Sequence, residues 1–267
     1  MRKAGGANPP VTVRRPKSWL RLAGPLGVLS AILVWSLAAK IVGSDLILPS
    51  PVKVGAALGD LLADPHFGSA LAGTLGRVAA AFILSLALGG LTGSVSAFSP
   101  FMERFLAPIL TTTRATPVLA LILVAMFWFP SNAVPVFCAI LMAFPVFHTA
   151  MRAGMAAADQ GLLQMAELFG VPARVRFARL RIPAAGPHLA SGAKNALGLC
   201  WKVVVAGEVL SQPAFALGTG MQESRLSLET AHVFAWAVTT VALCGITEFL
   251  LGRLVPRRPG YGREETA

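Results

Sequence analysis

Apolar runs of about 20 residues, the length an α-helix needs to cross a bilayer core, recur along this chain and leave few other folds open. They are Ala23–Val42, Leu75–Phe98, Ala133–Met151, His188–Leu210 and Val233–Val255, with a broken run at Phe105–Phe129. Composition agrees. Of 267 residues, 55% are hydrophobic and only 13% charged, against roughly 25% charged in ordinary globular domains. So little charge excludes a soluble enzyme, a disordered regulator and a disulfide-stapled secreted module. The expected architecture is an all-α integral membrane protein. Six transmembrane helices would span 22–255, with a basic tail at 1–21 and a short tail at 256–267.

The first run follows a basic tail, and Leu37-Ala38-Ala39 resembles a signal-peptide cleavage site. Its length favours a retained helix. The second run carries Ser85, Gly89, Gly93 and Ala97 four apart, a stripe of small residues that lets helices approach closely in lipid. Gly89 and Gly93 are therefore expected at a helix–helix contact. The third run is interrupted by Pro108, Pro117 and the polar Thr111-Thr112-Thr113-Arg114. Broken backbone at membrane depth is tolerated only against protein or a water-filled cavity, so an interior position is expected.

The net charge of +11 comes from 23 basic and 12 acidic residues. Nucleic-acid binding is excluded because no reading motif accompanies the charge. The positions are instead those of the positive-inside rule. Arg2, Lys3, Arg14, Arg15, Lys17 and Arg21 crowd the start, and Arg253, Arg257, Arg258 and Arg263 the end. Arg104 and Arg114 follow the second run, and six more, Arg152 to Lys194, are assigned to the connection between the fourth and fifth. Only Lys40, Lys53, Arg77 and Arg225 fall on the other side, and Lys202 lies within the fifth run. Both termini are expected in the cytoplasm. Cys138, Cys200 and Cys244 each sit in an apolar run without metal or redox spacing, and no metal site is expected.

The connection from about 152 to 187 is basic and amphipathic. Gln164–Phe169 reads as a short helix that Gly170 ends, and Pro172 opens a second one carrying Val175 and Leu180 among arginines. Pattern alone leaves a lipid-headgroup surface and a docking surface both open.

Spacing separates them. Gln164-Met165-Ala166-Glu167-Leu168-Phe169-Gly170, nine residues, then Leu180-Arg181-Ile182-Pro183 resembles the Glu-Ala-Ala loop of ABC importer permeases. Ala166, Gly170, Leu180, Ile182 and Pro183 fall in register, whereas Gln164 replaces the glutamate and Met165 the first alanine. Leu48-Pro49-Ser50-Pro51, Thr74-Leu75-Gly76-Arg77-Val78, Trp201-Lys202, Gly207-Glu208 and Gly218-Thr219-Gly220 are similar, in the same order, to permeases of the nitrate, sulfonate and taurine group.

The resemblance implies a type I ABC importer permease in a bacterial inner membrane. A second permease copy would complete the pore, an ATP-binding subunit dimer would dock on the cytoplasmic side, and an extracytoplasmic binding protein would deliver a small, anionic solute. The 160–183 loop, through Gln164, Ala166, Gly170, Leu180, Ile182 and Pro183, would couple ATP hydrolysis to alternating access. No G-x-x-x-x-G-K-[ST] occurs in the chain, so ATP and Mg would be held by the partner and the chain itself is expected to be no enzyme.

Charges inside spans mark functional positions by default. Lys202 and Glu208 are six apart, about 240° around a helix, so they do not share a face. Lys202 is a candidate for the solute path or for snorkelling or pairing with Glu248, and the resemblance implies a gate role for Glu208. An ion-coupled secondary carrier could use Lys202, Glu208 and Glu248 as a relay. Such carriers are built from repeats, and none relates 1–130 to 131–267.

Overall fold

A computed structural model describes residues 23–254. The two basic tails expected at 1–21 and 256–267 lie outside the described residues. Eleven α-helices run in order: α1 Ala23–Val42, α2 Pro51–Ala63, α3 Phe67–Ser96, α4 Pro100–Ala115, α5 Val118–Ala125, α6 Val134–Ala156, α7 Gln160–Leu168, α8 Ala173–Arg176, α9 Ile182–Ser211, α10 Leu217–Leu226 and α11 Thr230–Leu254. A π-helical turn, Phe177–Arg181, joins α8 to α9.

By length and apolarity, α1, α3, α6 and α11 can each cross a membrane, and α4 with α5 can count as one bent crossing. The 30-residue α9 is long enough as well, but Lys194, Lys202 and Glu208 make it less apolar.

The three longest-packed helices are α3, α6 and α9, with α6 in the middle. Their contact surfaces are lined by small residues. On α3 the buried stripe is Ala70, Thr74, Val78, Ala81, Ser85, Gly89, Gly93 and Ser96, a three- and four-residue spacing that keeps one face toward α6. A Cβ at Gly89 would lie 2.5 Å from Phe147 Cβ and 2.6 Å from the Phe144 carbonyl oxygen. At Gly93 it would lie 2.5 Å from the His148 carbonyl oxygen. The same closeness joins α6 to α9, where a Cβ at Gly192 would approach Ala150 Cβ to 2.7 Å. In lipid, where apolar burial supplies no drive between helices, this backbone proximity is the source of packing energy.

Two of the proline expectations separate. Pro117 does break the third run: Thr116 is extended (φ −71°, ψ 125°), as steric contact with the following proline ring requires, and α4 and α5 meet at a 99° bend. Pro108 does not break it, because α4 continues through that position. Both sides of Pro108 are anchored to α6. Glu103 pairs with Arg152, and Arg114 donates to the Pro145 carbonyl at 3.1 Å and to Thr149. Those contacts hold the helix against the cost of about 3 kcal/mol that an interior proline carries.

The fifth run also differs from expectation. It begins at Ile182 rather than His188, and the second short helix of the loop is not a separate element, since α8, the π-helical turn and α9 follow without a break. The proline at 183 has no N–H, and its ring crowds the carbonyl four residues back. The wider turn accommodates this: Ile182 N–H reaches the Phe177 carbonyl, five residues away, the signature of a π-bulge. Lys194, counted with the connection in the charge allocation although it falls within the run from His188, stands well inside α9.

Two short helices, α2 and α10, were not evident from hydropathy. The first is started by the Ser50 side chain, which accepts from Lys53 N–H, with Pro51 at the first helical position. Both pack against α11.

Candidate functional site

At the end of the bundle where α3 begins and α9 finishes, a polar cluster is buried among apolar helices. Glu208 on α9 is fully buried. Its carboxylate accepts from Arg77 Nη1 at 2.9 Å, Thr74 Oγ1 at 3.0 Å and Gly218 N–H at 3.1 Å. Thr74 Oγ1 in turn accepts from Leu217 N–H at 3.0 Å. Arg77 spends its remaining donors on Asn132 Oδ1 and on the carbonyls of Ala214 and Phe215, at 2.9, 2.9 and 3.3 Å. Charge-assisted bonds of this kind are the strong ones.

The cluster stitches α3, α9, the α5–α6 connection and the start of α10 together. It also holds a strained segment: Gln212 and Phe215 are non-glycine residues with φ of 46° and 54°, a left-handed region that costs free energy unless neighbours impose it. Arg77 clasps the two carbonyls inside that segment. Gly73 completes the fit, because a Cβ there would collide with the Phe215 carbonyl oxygen. Thr74, Arg77, Glu208 and Gly218 come from three of the short sequence matches noted above. Their convergence was not foreseen, and Arg77 had been read only as a charge on the outer side. Opposite charges near the matching ends of antiparallel helices are the signal that could have paired them.

Glu208 is therefore turned inward while Lys202 is exposed on the other face of α9. Glu248 on α11 is exposed too. With Glu208 fully engaged by Arg77, Thr74 and Gly218, the placement does not favour a relay through Lys202, Glu208 and Glu248.

The opposite end carries α7. Asp159 caps it, its Oδ1 accepting from Gly161 N–H at 2.7 Å and Leu162 N–H at 3.2 Å. It closes on Gly170, whose φ is +71°. There Val171 N–H donates to the Ala166 carbonyl and Gly170 N–H to the Glu167 carbonyl, both at 2.9 Å, a six-to-one and five-to-two pair that needs the left-handed conformation glycine adopts without strain. Gln164 is exposed and Ala166 half-buried; beyond the turn Leu180 is half-buried, while Ile182 and Pro183 are exposed at the first turn of α9. The two halves of the loop are tied by Glu167 and Arg176 at 2.9 Å. Arg181 lies over the Phe98 ring at 4.7 Å, fixing the segment to the end of α3. Leu168 and Phe169 are 88% and 80% exposed, an unusual cost for large apolar side chains at the end of a short amphipathic helix.

Comparison with known proteins bears on this arrangement. The family described as binding-protein-dependent transport system inner membrane component matches residues 86–259. The SsuC permease of Escherichia coli (strain K12), named for aliphatic sulfonates transport, is 30% identical over 93% of this chain and 97% of its own length. The nitrate import permease protein NrtB of Synechococcus elongatus is 27% identical over 76% of this chain and 78% of its own. The taurine transport system permease protein TauC of Escherichia coli (strain K12) is 27% identical over 85% and 83%. Among solved structures, the crystal structure of an amino acid ABC transporter with histidines superposes with a TM-score of 0.53, at 17% identity, over 70% of this chain and 91% of that one; this likeness concerns the fold. An all-helical bundle with several membrane-length helices, matched by the family over most of its length, belongs to the binding-protein-dependent transport system inner membrane components, the permease subunits of ABC transporters.

Proposed function

We propose that this chain is the membrane pathway of an ATP-driven importer for a small anion of the sulfonate, nitrate or taurine kind. It would cross a bacterial inner membrane six times, with α4 and α5 as the bent third crossing, α9 as the fifth and both termini in the cytoplasm. A second permease copy, an ATP-binding subunit dimer and an extracytoplasmic binding protein complete the system. Relatives named for sulfonate, nitrate and taurine transport support the solute class.

The observation that carries the coupling role is the apolar tip of α7. Leu168 and Phe169 stand almost fully exposed on a helix whose end is sharply set by Gly170. An apolar tip on a rigid, capped helix outside the spans is suited to a groove of another subunit. Gln164 and Ala166 lie on the docking helix; Leu180, Ile182 and Pro183 carry its movement directly into α9, because α8 and α9 are continuous. ATP-driven closure of the partner would thus tilt α9, while the Arg77–Glu208 cluster holds the far end of the same helix.

A mild-detergent pull-down of the tagged chain from its own membranes tests this, wild type beside Gly170→Asp. An ATP-binding subunit should co-purify with wild type and be lost from the folded variant. A chain that comes down alone and still moves solute without ATP overturns the reading.

A further inference from the structure

One face of α9 carries polar residues over its middle stretch, from Ser191 to Lys202. Ser191, Lys194, Asn195 and Lys202 are all exposed, with Gly198 half-buried among them. At 100° per residue these five positions fall in an arc of about 100°. The opposite face, including Ala193, Ala196, Cys200 and Val204, is buried in the bundle.

The neighbouring helix meets this face with matched glycines. A Cβ at Gly198 would lie 2.8 Å from Glu248 Oε1, and one at Gly252 would lie 3.6 Å from Lys194 Nζ. Antiparallel α9 and α11 therefore align Lys194, Gly198 and Lys202 beside Gly252, Glu248 and Cys244, with Cys244 Sγ 3.7 Å from Glu248 Oε1. One carboxylate lies between two ammonium groups. Among the described residues, no ion pair within 4.0 Å includes Lys194, Lys202 or Glu248. The seam carries a net charge of +1 that is not consumed by pairing.

Such a seam is costly toward hydrocarbon, where a lysine at the centre of a helix costs about 2.5–3.5 kcal/mol. Snorkelling does not relieve Lys202, since nine residues of helix, about 13 Å, separate it from the end of α9 at Ser211. Serine and asparagine on the same stripe extend the polar surface toward the other end, which a lysine seeking a headgroup does not need.

Resting on the importer reading, we propose that this face is the wall of an aqueous path for small oxyanions, with Lys194 and Lys202 as two successive holding points. Eight residues of helix set them about 12 Å apart, so an anionic head engages one and then the other. Glu248, lying between them and pairing with neither, repels the anion and keeps both sites weak. Weak, repeated sites of this kind permit passage, whereas one tight site traps the solute.

The test uses the full-length chain in native membrane vesicles with Asn195→Cys and Cys244→Ala, Cys138 and Cys200 being buried. The new thiol is titrated with a sulfonate-bearing and with a trimethylammonium-bearing methanethiosulfonate. Both reagents should react, the anionic one faster. Lys194→Gln and Lys202→Gln should each lower the anionic-to-cationic rate ratio by about threefold to tenfold, the effect of a unit charge roughly 10 Å away in a wet protein surface. Glu248→Gln should raise it, and Lys202→Arg should leave it unchanged. Because the ratio is internal to each sample, altered protein yield does not mimic the effect. A thiol reached only by a lipid-soluble maleimide, or a ratio that ignores both lysines, overturns the proposal. A chain that captures its ATP-binding subunit with an unmoved ratio remains a permease without this path; the converse pattern keeps the cationic path and removes the ATP-driven reading.

Discussion

Arg77 and Glu208, 131 positions apart in the chain, meet at 2.9 Å inside the bundle, and through them the start of α3 is locked to the end of α9. The arginine side chain is 12% exposed and the carboxylate not at all. Together they also immobilise the strained Gln212–Phe215 segment, so the pair acts as a structural clamp on one end of the helix whose other end meets the α7 loop.

Removing one partner should be far worse than removing both. Arg77→Met leaves a buried carboxylate uncompensated, at about 3–5 kcal/mol, and should lower the thermal midpoint of the detergent-purified protein markedly. Adding Glu208→Gln, which keeps the bonds from Thr74 and Gly218, should recover a large part of that loss. A double variant no more stable than Arg77→Met would refute the clamp.

Neighbouring glycines on α3 should behave oppositely. Gly89→Ala places a methyl against α6 backbone and should cost about 1–3 kcal/mol through overpacking. Gly90 has nothing within 4 Å of its added Cβ, so Gly90→Ala should be neutral or stabilise by up to about 1 kcal/mol through helix propensity. Thermal unfolding of the two variants side by side reads the difference.

The turn after α7 depends on a left-handed residue. Gly170→Ala should cost about 1–2 kcal/mol locally, visible as faster hydrogen exchange at the Gly170 and Val171 amides. Gly170→Asn should be milder, because asparagine visits that conformation more readily.

A surface pair provides a contrast. Lys53 and Asp45 are bonded, yet each side chain is more than half exposed. Asp45→Asn should shift stability by less than about 1 kcal/mol, and less still at high salt.

Topology has its own readout. Green fluorescent protein fused to either terminus should fluoresce, since both ends are proposed to be cytoplasmic, whereas alkaline phosphatase fused at either end should be inactive. Opposite results at the two ends would require an odd number of crossings.

The apolar runs, the stop at Gly170 and the break at Pro117 were legible because each is a local matter: hydropathy over about 20 residues, a left-handed turn, a missing N–H beside a crowded backbone. The ordered matches from Leu48 to Pro183 and on to Gly220 likewise needed only spacing. Pro108 and Pro117 look alike in one dimension, but Glu103 and Arg114 tie α4 to α6 on both sides of the first, and this cannot be seen without knowing which helices are neighbours. The joining of α8 to α9 came from a π-turn that accommodates Pro183, where a loop had been expected. Most of all, the sequence placed Arg77 and Lys194 only by side of the membrane and named no neighbour for either; packing put the first on Glu208 and the second beside Gly252. Hydropathy and spacing are sums over contiguous residues, whereas the partner of a buried charge depends on how helices far apart in the chain are rotated against one another.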